Sequence, residues 1–362
     1  MVDSRIKKFA KILVHYSIGA KEKEEVLVSG SYEASSLVRL VYEELITVGA
    51  YPRVKVSIPG IDYAYYAKAQ EHQLDFVSDM DYLEANKMAA MISIESDYNT
   101  KELTSIDSSR ITRRVKARQN LKEIILKRVR WNVTLFPTQA LAQDAEMSLQ
   151  EYEDFVFGAV FADREDPVRC WDELSANQER LCQIFSTAEE LRILGKDTDL
   201  TMKVSGRKFI NSNGHYNMPS GEIFSAPIED SVQGHIRFEY PVCLYGKEVE
   251  GVQLTFENGK VTKLSASKNQ DFLESMLTTD AGAKYLGEIG IGNNFGITKF
   301  TKNILFDEKI GGSVHIALGQ SYEECGGKNE SAIHWDMIKD LRTGGEMYLD
   351  GVLVQKDGKF LL

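Results

Sequence analysis

Long apolar runs are missing from this chain of 362 residues. No stretch approaches the roughly 18–20 residues a membrane-spanning helix requires, so no membrane partner is expected. The opening "MVDSRIKKFAKILVHYSIGA" is amphipathic and has neither the uninterrupted apolar core nor the small-residue cleavage site of a secretory signal. A cytoplasmic location is therefore expected. Cysteine is scarce: Cys170, Cys182, Cys243 and Cys325 lie far apart, which suggests neither a disulfide framework nor a thiolate zinc site. Each is read as a reduced thiol. Positive charge is also short, with 43 Lys and Arg against 54 Asp and Glu and a net charge of -11. That field opposes a nucleic-acid partner, which needs a positive stripe. The basic residues between Arg110 and Arg130 follow a helical spacing with acids among them and read as a solvated helix face.

Phosphate-binding loops are absent as well. The "SGSYEASS" after the first strand-like run lacks both the G-x-G-x-x-G fingerprint and a lysine-containing Walker loop, so Gly30 reads as a strand-to-helix turn. No internal repeat, low-complexity segment or Pro/Gly-rich linker is evident.

What is present fits an ordinary globular protein, 43% apolar and 27% charged, of a length at which single cores usually give way to two domains. The first half alternates strand and helix signals. "EEVLVSG", a helical "SYEASSLVRLVYEELITVGA" and "YPRVKVSIPG" form a βαβ unit. Helix in "DYAYYAKAQEHQLDFV", strand in "KMAAMISIES", helix in "DSSRITRRVKARQNLKEIILKRV" and strand in "RWNVTLFPT" follow, then helices over 147–161 and 167–185. After about residue 185 the pattern turns to alternating, strand-like segments with turn signals such as "ENGK" and one helix in "NQDFLESMLTTDAGAKYL". The expected fold is α/β: an N-terminal parallel-sheet α/β domain over 1–190, and a mixed, sheet-rich α+β domain over 191–362 that carries the chemistry.

The titratable residues gather in that second part. In "SAIHWDMIKD" the period of two puts His334 and Asp336 on one face of a strand, with Trp335 opposite and packing behind the site. In "GGSVHIALG", His315 shares a face with Ser313 and Ala317. A neutral imidazole beside a carboxylate can bind a divalent ion, though a core histidine held by a nearby acid reads the same way in isolation. The company decides. Glu222 in "NMPSGEIFSAP", Glu288 in "YLGEIGIGNN", and Asp307 with Glu308 in "ILFDEKIGG" place carboxylates in apolar settings, and buried charges of this kind are commonly paired or bound to a metal. Three carboxylates with two imidazoles suit two ions better than one. His215 and His235 flank the "GEIF" block and are read as surface residues.

The ordered blocks "GEIFSAP", "LGEIGIG", "LFDEKIGGSVHIALGQSY" and "NESAIHWDMI" resemble the aminopeptidase T and aminopeptidase S family of dinuclear metallo-exopeptidases. The resemblance is strong over the C-terminal half and one of general layout over the rest. It implies a cytoplasmic, homodimeric enzyme that removes N-terminal amino acids from short peptides. It implies two divalent ions per chain (zinc, cobalt or magnesium) held by Glu222, Glu288, His315, His334 and Asp336, with Glu308 at or next to the metals. Glu288 would be the general base, and Tyr322 in "GQSY" the donor to the developing oxyanion. The competing expectation is a mononuclear iron ring-cleaving dioxygenase of the hydroxypyridine type, with His315, His334 and Asp336 as its facial triad.

Overall fold

The computed structural model describes residues 3–244 and 247–362. The Cys243 side chain, expected as a reduced thiol, lies outside the described residues. Two compact units emerge, Met1–Val168 with Gly214–Pro219, and Arg169–Asn213 with Ser220–Leu362.

In the first unit the strands run in the order Tyr51–Ser57, Glu25–Ser31, Ala90–Glu95, Arg130–Leu135 and Asn217–Met218, every neighbouring pair parallel. The apolar run predicted as the first strand is interior: Val26, Leu27 and Val28 are all buried, as expected for a parallel strand covered on both faces. The helix Ser35–Val48 buries Leu37, Val38, Leu40, Val41 and Leu45 along one stripe. The single helix predicted over 62–77 is two, Ile61–Lys68 and Glu71–Asp75. The break has a local cause, because Gln70 and Gln73 form a capping box that starts the second helix afresh. The long basic helix likewise divides, into Ser108–Ala117 and Gln119–Arg128.

The second unit is built from antiparallel sheets. One has eight strands, in the order Lys260–Ser265, Gln253–Glu257, Gln233–Arg237, Thr198–Lys203, Glu190–Gly195, Glu346–Leu349, Val352–Lys356 and Lys359–Phe360. The predicted "ENGK" turn joins two of these strands, with Asn258 and Gly259 both at positive φ as a two-residue hairpin requires. A second sheet has five strands, in the order His334–Asp340, Ser313–Gly319, Leu286–Gly292, Glu222–Ser225 and Ile210–Ser212. Both sheets contribute to one continuous apolar core. Leu191, Ile193, Leu254 and Met347 come from the first, and Ile289, Ile291, Val314, Ile316, Leu318, Trp335 and Met337 from the second. Two helices close this core. Gln270–Leu277 inserts Leu273, Met276 and Leu277, and Pro167–Ser186 inserts Leu181, Cys182 and Phe185. That second helix places the division between units at 168/169, ahead of the change in residue pattern, because its apolar face belongs to the core that follows it in sequence.

Among the described residues no helix is long and apolar enough to cross a membrane.

Candidate metal centre

The five-stranded sheet carries its chemistry on one face. Its pairing sets Asp336 opposite Ala317 and Ala317 opposite Glu288. In the next row His315 lies between Ile338 and Gly290, and Gly290 in turn faces Phe224. Glu222 pairs with Gly292, and Gly319 with His334. Since strand side chains alternate, the intervening residues Ile289, Ile291, Val314, Ile316, Leu318, Trp335 and Met337 point the other way, into the core. Trp335 packs there at 5.9 Å from the ring of Phe272, the backing role expected of it.

Small residues on the chemical face make the room. A Cβ at Gly290 would lie 1.9 Å from His315 Cε1, so the imidazole occupies the volume of a missing side chain. Glu222 is aimed by its flank: Gly221 has φ +112, and a Cβ there would lie 2.7 Å from Asn294 Cβ, a combination only glycine adopts without strain. Gln178, from the Pro167–Ser186 helix, donates to the Glu222 carbonyl at 2.9 Å and to the Ser212 carbonyl at 2.9 Å, anchoring the start of that strand.

The side chains converge. His315 Nε2 lies 3.4 Å from Glu288 Oε1, and His334 Nε2 lies 3.1 Å from Glu288 Oε2 and 3.5 Å from Asp336 Oδ1. Glu222 Oε2 is 3.6 Å from His315 Nδ1. Among the described residues two sets of potential ligand atoms emerge, Glu288 with His334 and Asp336, and Glu308 with His315 and Asp336. Asp336 is common to both. Each imidazole has its other nitrogen occupied by a backbone carbonyl, His315 Nδ1 by Glu308 at 3.0 Å and His334 Nδ1 by Gln320 at 2.8 Å. With Nδ1–H donating to a carbonyl, each ring turns Nε2 toward the carboxylates, the orientation that suits a metal-binding histidine once Nε2 gives up its proton.

The electrostatics are those of a site built around positive charge. Burial pushes the Glu222 carboxyl up to about 8, and Lys309 offsets this only in part. Burial would raise Glu288 too, but hydrogen bonds from His315 and His334 more than offset it and hold the carboxyl down at about 2. For the imidazoles burial opposes charge, yet the surrounding carboxylates win: His315 is pushed up to about 10, chiefly by Glu288 and Glu222, and His334 to about 11, chiefly by Asp336 and Glu288. Glu222 Oε2 is buried and has no hydrogen-bond partner among the described residues. A buried polar oxygen left without a hydrogen bond costs about 1–3 kcal/mol. A divalent cation would satisfy it, so the donor set of hard oxygens and imidazole nitrogens fits the metal the sequence implied.

Tyr322 stands at the rim, 41% exposed. Its ring is 5.3 Å from that of His334 and 5.5 Å from that of Phe224. Desolvation together with the Glu288 and Asp336 charges holds the phenol well above its ordinary range, and therefore protonated. Beside His334 and Asp336 opens a cavity of about 140 Å³ with mostly apolar walls, including Val242, Phe300, Ile304 and Ile338.

Not every acid in this stretch of sequence joins the cluster. Asp307 closes the short helix Ile304–Asp307. It is buried and accepts from the Thr301 amide at 2.8 Å and hydroxyl at 2.9 Å, and burial holds it up at about 8 against those bonds. It fixes the loop. His215 and His235 are both exposed. His215 stacks on Tyr16, and His235 lies on the Gln233–Arg237 strand of the eight-stranded sheet.

Two features escaped the sequence reading. Gly290 and Gly292 follow Glu288 at intervals of two, a signal that could have marked an emptied face. Lys309 is fully buried, in contact with Glu308 and with Nζ 3.7 Å from Glu222 Oε1; nothing in "DEKIGG" distinguishes it from a surface lysine.

A family model described as thermophilic metalloprotease (M29) matches residues 2–360. The chain belongs to the M29 family of metalloproteases. Two curated relatives span nearly the whole length. Aminopeptidase AmpS of Bacillus subtilis is 27% identical, over 98% of this chain and 96% of the relative. Aminopeptidase T of Thermus thermophilus is also 27% identical, over 96% and 94%. Among solved structures, wild-type AmpT from Thermus thermophilus superposes with a TM-score of 0.86 over 99% of both chains at 22% identity, a likeness of fold. As a member of this M29 family the protein is a metal-dependent peptidase, and the ring-cleaving dioxygenase expectation finds no support.

Proposed function

We propose that this protein is an aminopeptidase that hydrolyses the N-terminal peptide bond of short peptides with two divalent ions. The observation that carries this reading is the meeting of Glu222, Glu288, His315, His334 and Asp336 on one sheet face, with Glu308 beside them and a buried Glu222 oxygen left for a cation. The names of the curated relatives support the exopeptidase part of the reading.

In this reading Glu288, His334 and Asp336 would hold one ion and Glu308, His315 and Asp336 the other, with Glu222 completing the set. When bound, such ions act as Lewis acids and bring the pKa of water toward neutrality. The protein's residues supply the rest. Glu288, lying between the two imidazoles, takes the proton of the attacking water as its oxygen bonds to the scissile carbonyl carbon. It then delivers that proton to the amine as the C–N bond breaks. The neutral Tyr322 hydroxyl donates to the oxygen that gains charge, a contribution of about 3–4 kcal/mol where comparable donors have been removed. The cavity beside His334 receives the side chain of the N-terminal residue. Action in the cytoplasm, zinc, cobalt or magnesium as the metal, and a homodimer are carried over from the family resemblance.

The test is hydrolysis of a panel of aminoacyl-nitroanilides by protein stripped with a chelator and reloaded with zinc, cobalt or magnesium. Activity should vanish on stripping and return on reloading, and Glu288→Gln should bind metal but lose at least about 10³-fold in kcat. Undiminished turnover in Glu288→Gln would rule out the proposed base.

A further inference from the structure

The carboxylate cluster already holds one cation of its own. Lys309 has a side chain with no exposure, reaches Glu308 in direct contact, and lies 3.7 Å from Glu222. Packed against both carboxylates and shut off from solvent, the lysine side chain is their buried counter-charge. It serves the two potential ion positions unequally. The set Glu288, His334 and Asp336 brings two carboxylates and an imidazole, and Lys309 forms no ion pair with Glu288 or Asp336 among the described residues. The set Glu308, His315 and Asp336 depends on a carboxylate that the ammonium already neutralises, and the nearby Glu222 is shared with the same lysine. A second divalent ion arriving there must displace or repel a buried unit charge at a few ångströms, where low dielectric makes repulsion strong.

We propose that Lys309 makes the metal centre sequential: one ion binds tightly at Glu288, His334 and Asp336, and the second, at Glu308 and His315, binds far more weakly because the lysine competes for its carboxylates. This rests on the metal-centre reading above and adds to it an internal competitor. The consequence is a protein that holds one resident ion and is completed by the other only where free metal is abundant.

The experiment is calorimetric titration of chelator-stripped protein with cobalt, followed in parallel by the visible absorption of the bound ion. The wild type should show two steps separated by at least about tenfold in dissociation constant. Lys309→Met should tighten the second step by about tenfold or more while moving the first by less than about threefold. Glu308→Gln should abolish the second step alone. Should Lys309→Met fail to fold, Lys309→Gln carries the same expectation for the second step, and two equivalent steps in the wild type overturn the proposal without any variant. Two equivalent ions in the wild type, or an unchanged second constant in folded Lys309→Met, would overturn the role of Lys309 and leave the metal centre standing. No uptake of cobalt, zinc or magnesium would overturn both.

Discussion

The two faces of the five-stranded sheet are made by the same strands and differ in everything else. On one, Ile289, Ile291, Val314, Ile316, Leu318, Trp335 and Met337 fill a continuous core. On the other, Glu222, Glu288, His315, His334 and Asp336 meet around glycines and an alanine. The first face stabilises by removing apolar area from water, a non-directional effect that tolerates exchange of similar volumes. The second needs each atom in place and leaves buried charge to be balanced by a ligand. The comparison teaches that the rigidity of the one face is what positions the other: a residue's neighbours in sequence anchor it, while its partners in chemistry lie across the strands.

Substitutions on opposite faces should separate these roles. The largest effect is expected at Gly290→Val, whose side chain would enter the volume of the His315 ring. Metal content measured after dialysis should fall and kcat/KM should drop by more than about 10³-fold, and normal metal uptake would refute the space-making role. Next, Tyr322→Phe should lower kcat by about 10²–10³-fold with KM and metal content little changed. A loss confined to KM would instead make Tyr322 a binding residue. On the apolar face, Ile316→Ala should cost about 2–4 kcal/mol in urea unfolding while leaving the metal stoichiometry of the folded protein as it was. A change in stoichiometry at full folding would show that the two faces are not separable.

The smallest effect concerns the segment leading into the His334 strand. The Asp280 carboxylate accepts from the amides of Ala332, Gly282 and Ala283 and from the Ser331 hydroxyl. The Ala332 bond, against burial, holds it below the ordinary carboxylate range. A depressed folded value means that this stability is fully present above the ordinary range and is lost as pH falls through the folded value. Asp280→Asn should therefore cost about 1 kcal/mol or less, given solvent screening, by a constant amount above about pH 5. The gap to the wild type should close in more acidic solution. A gap that widens with acid would contradict the assignment.

Much of this was legible in the residues. The alternation around His334 and Asp336 put them on one face, and the short apolar run "EEVLVSG" marked a strand of a βαβ unit, because both signals are local. Helix ends were less legible: the break at Gln70 depends on a capping pair that a sequence merely permits. The division between units was shifted by one helix, since which core an amphipathic helix covers is not written in its own period. Lys309 was invisible, as a lysine's burial is fixed by what surrounds it and not by its neighbours in the chain.

The sequence by itself determined the class of chemistry, because carboxylates and imidazoles set among apolar and small residues are stable only if something balances them. It also determined the strand faces, through a period of two. Tertiary structure alone decided that residues from 222 to 336 share one centre and that both histidines turn Nε2 inward. It also decided that a lysine stands among these carboxylates. Those outcomes depend on strand order and register, which arise from long-range pairing and the shared core behind the sheet, and no local pattern encodes them.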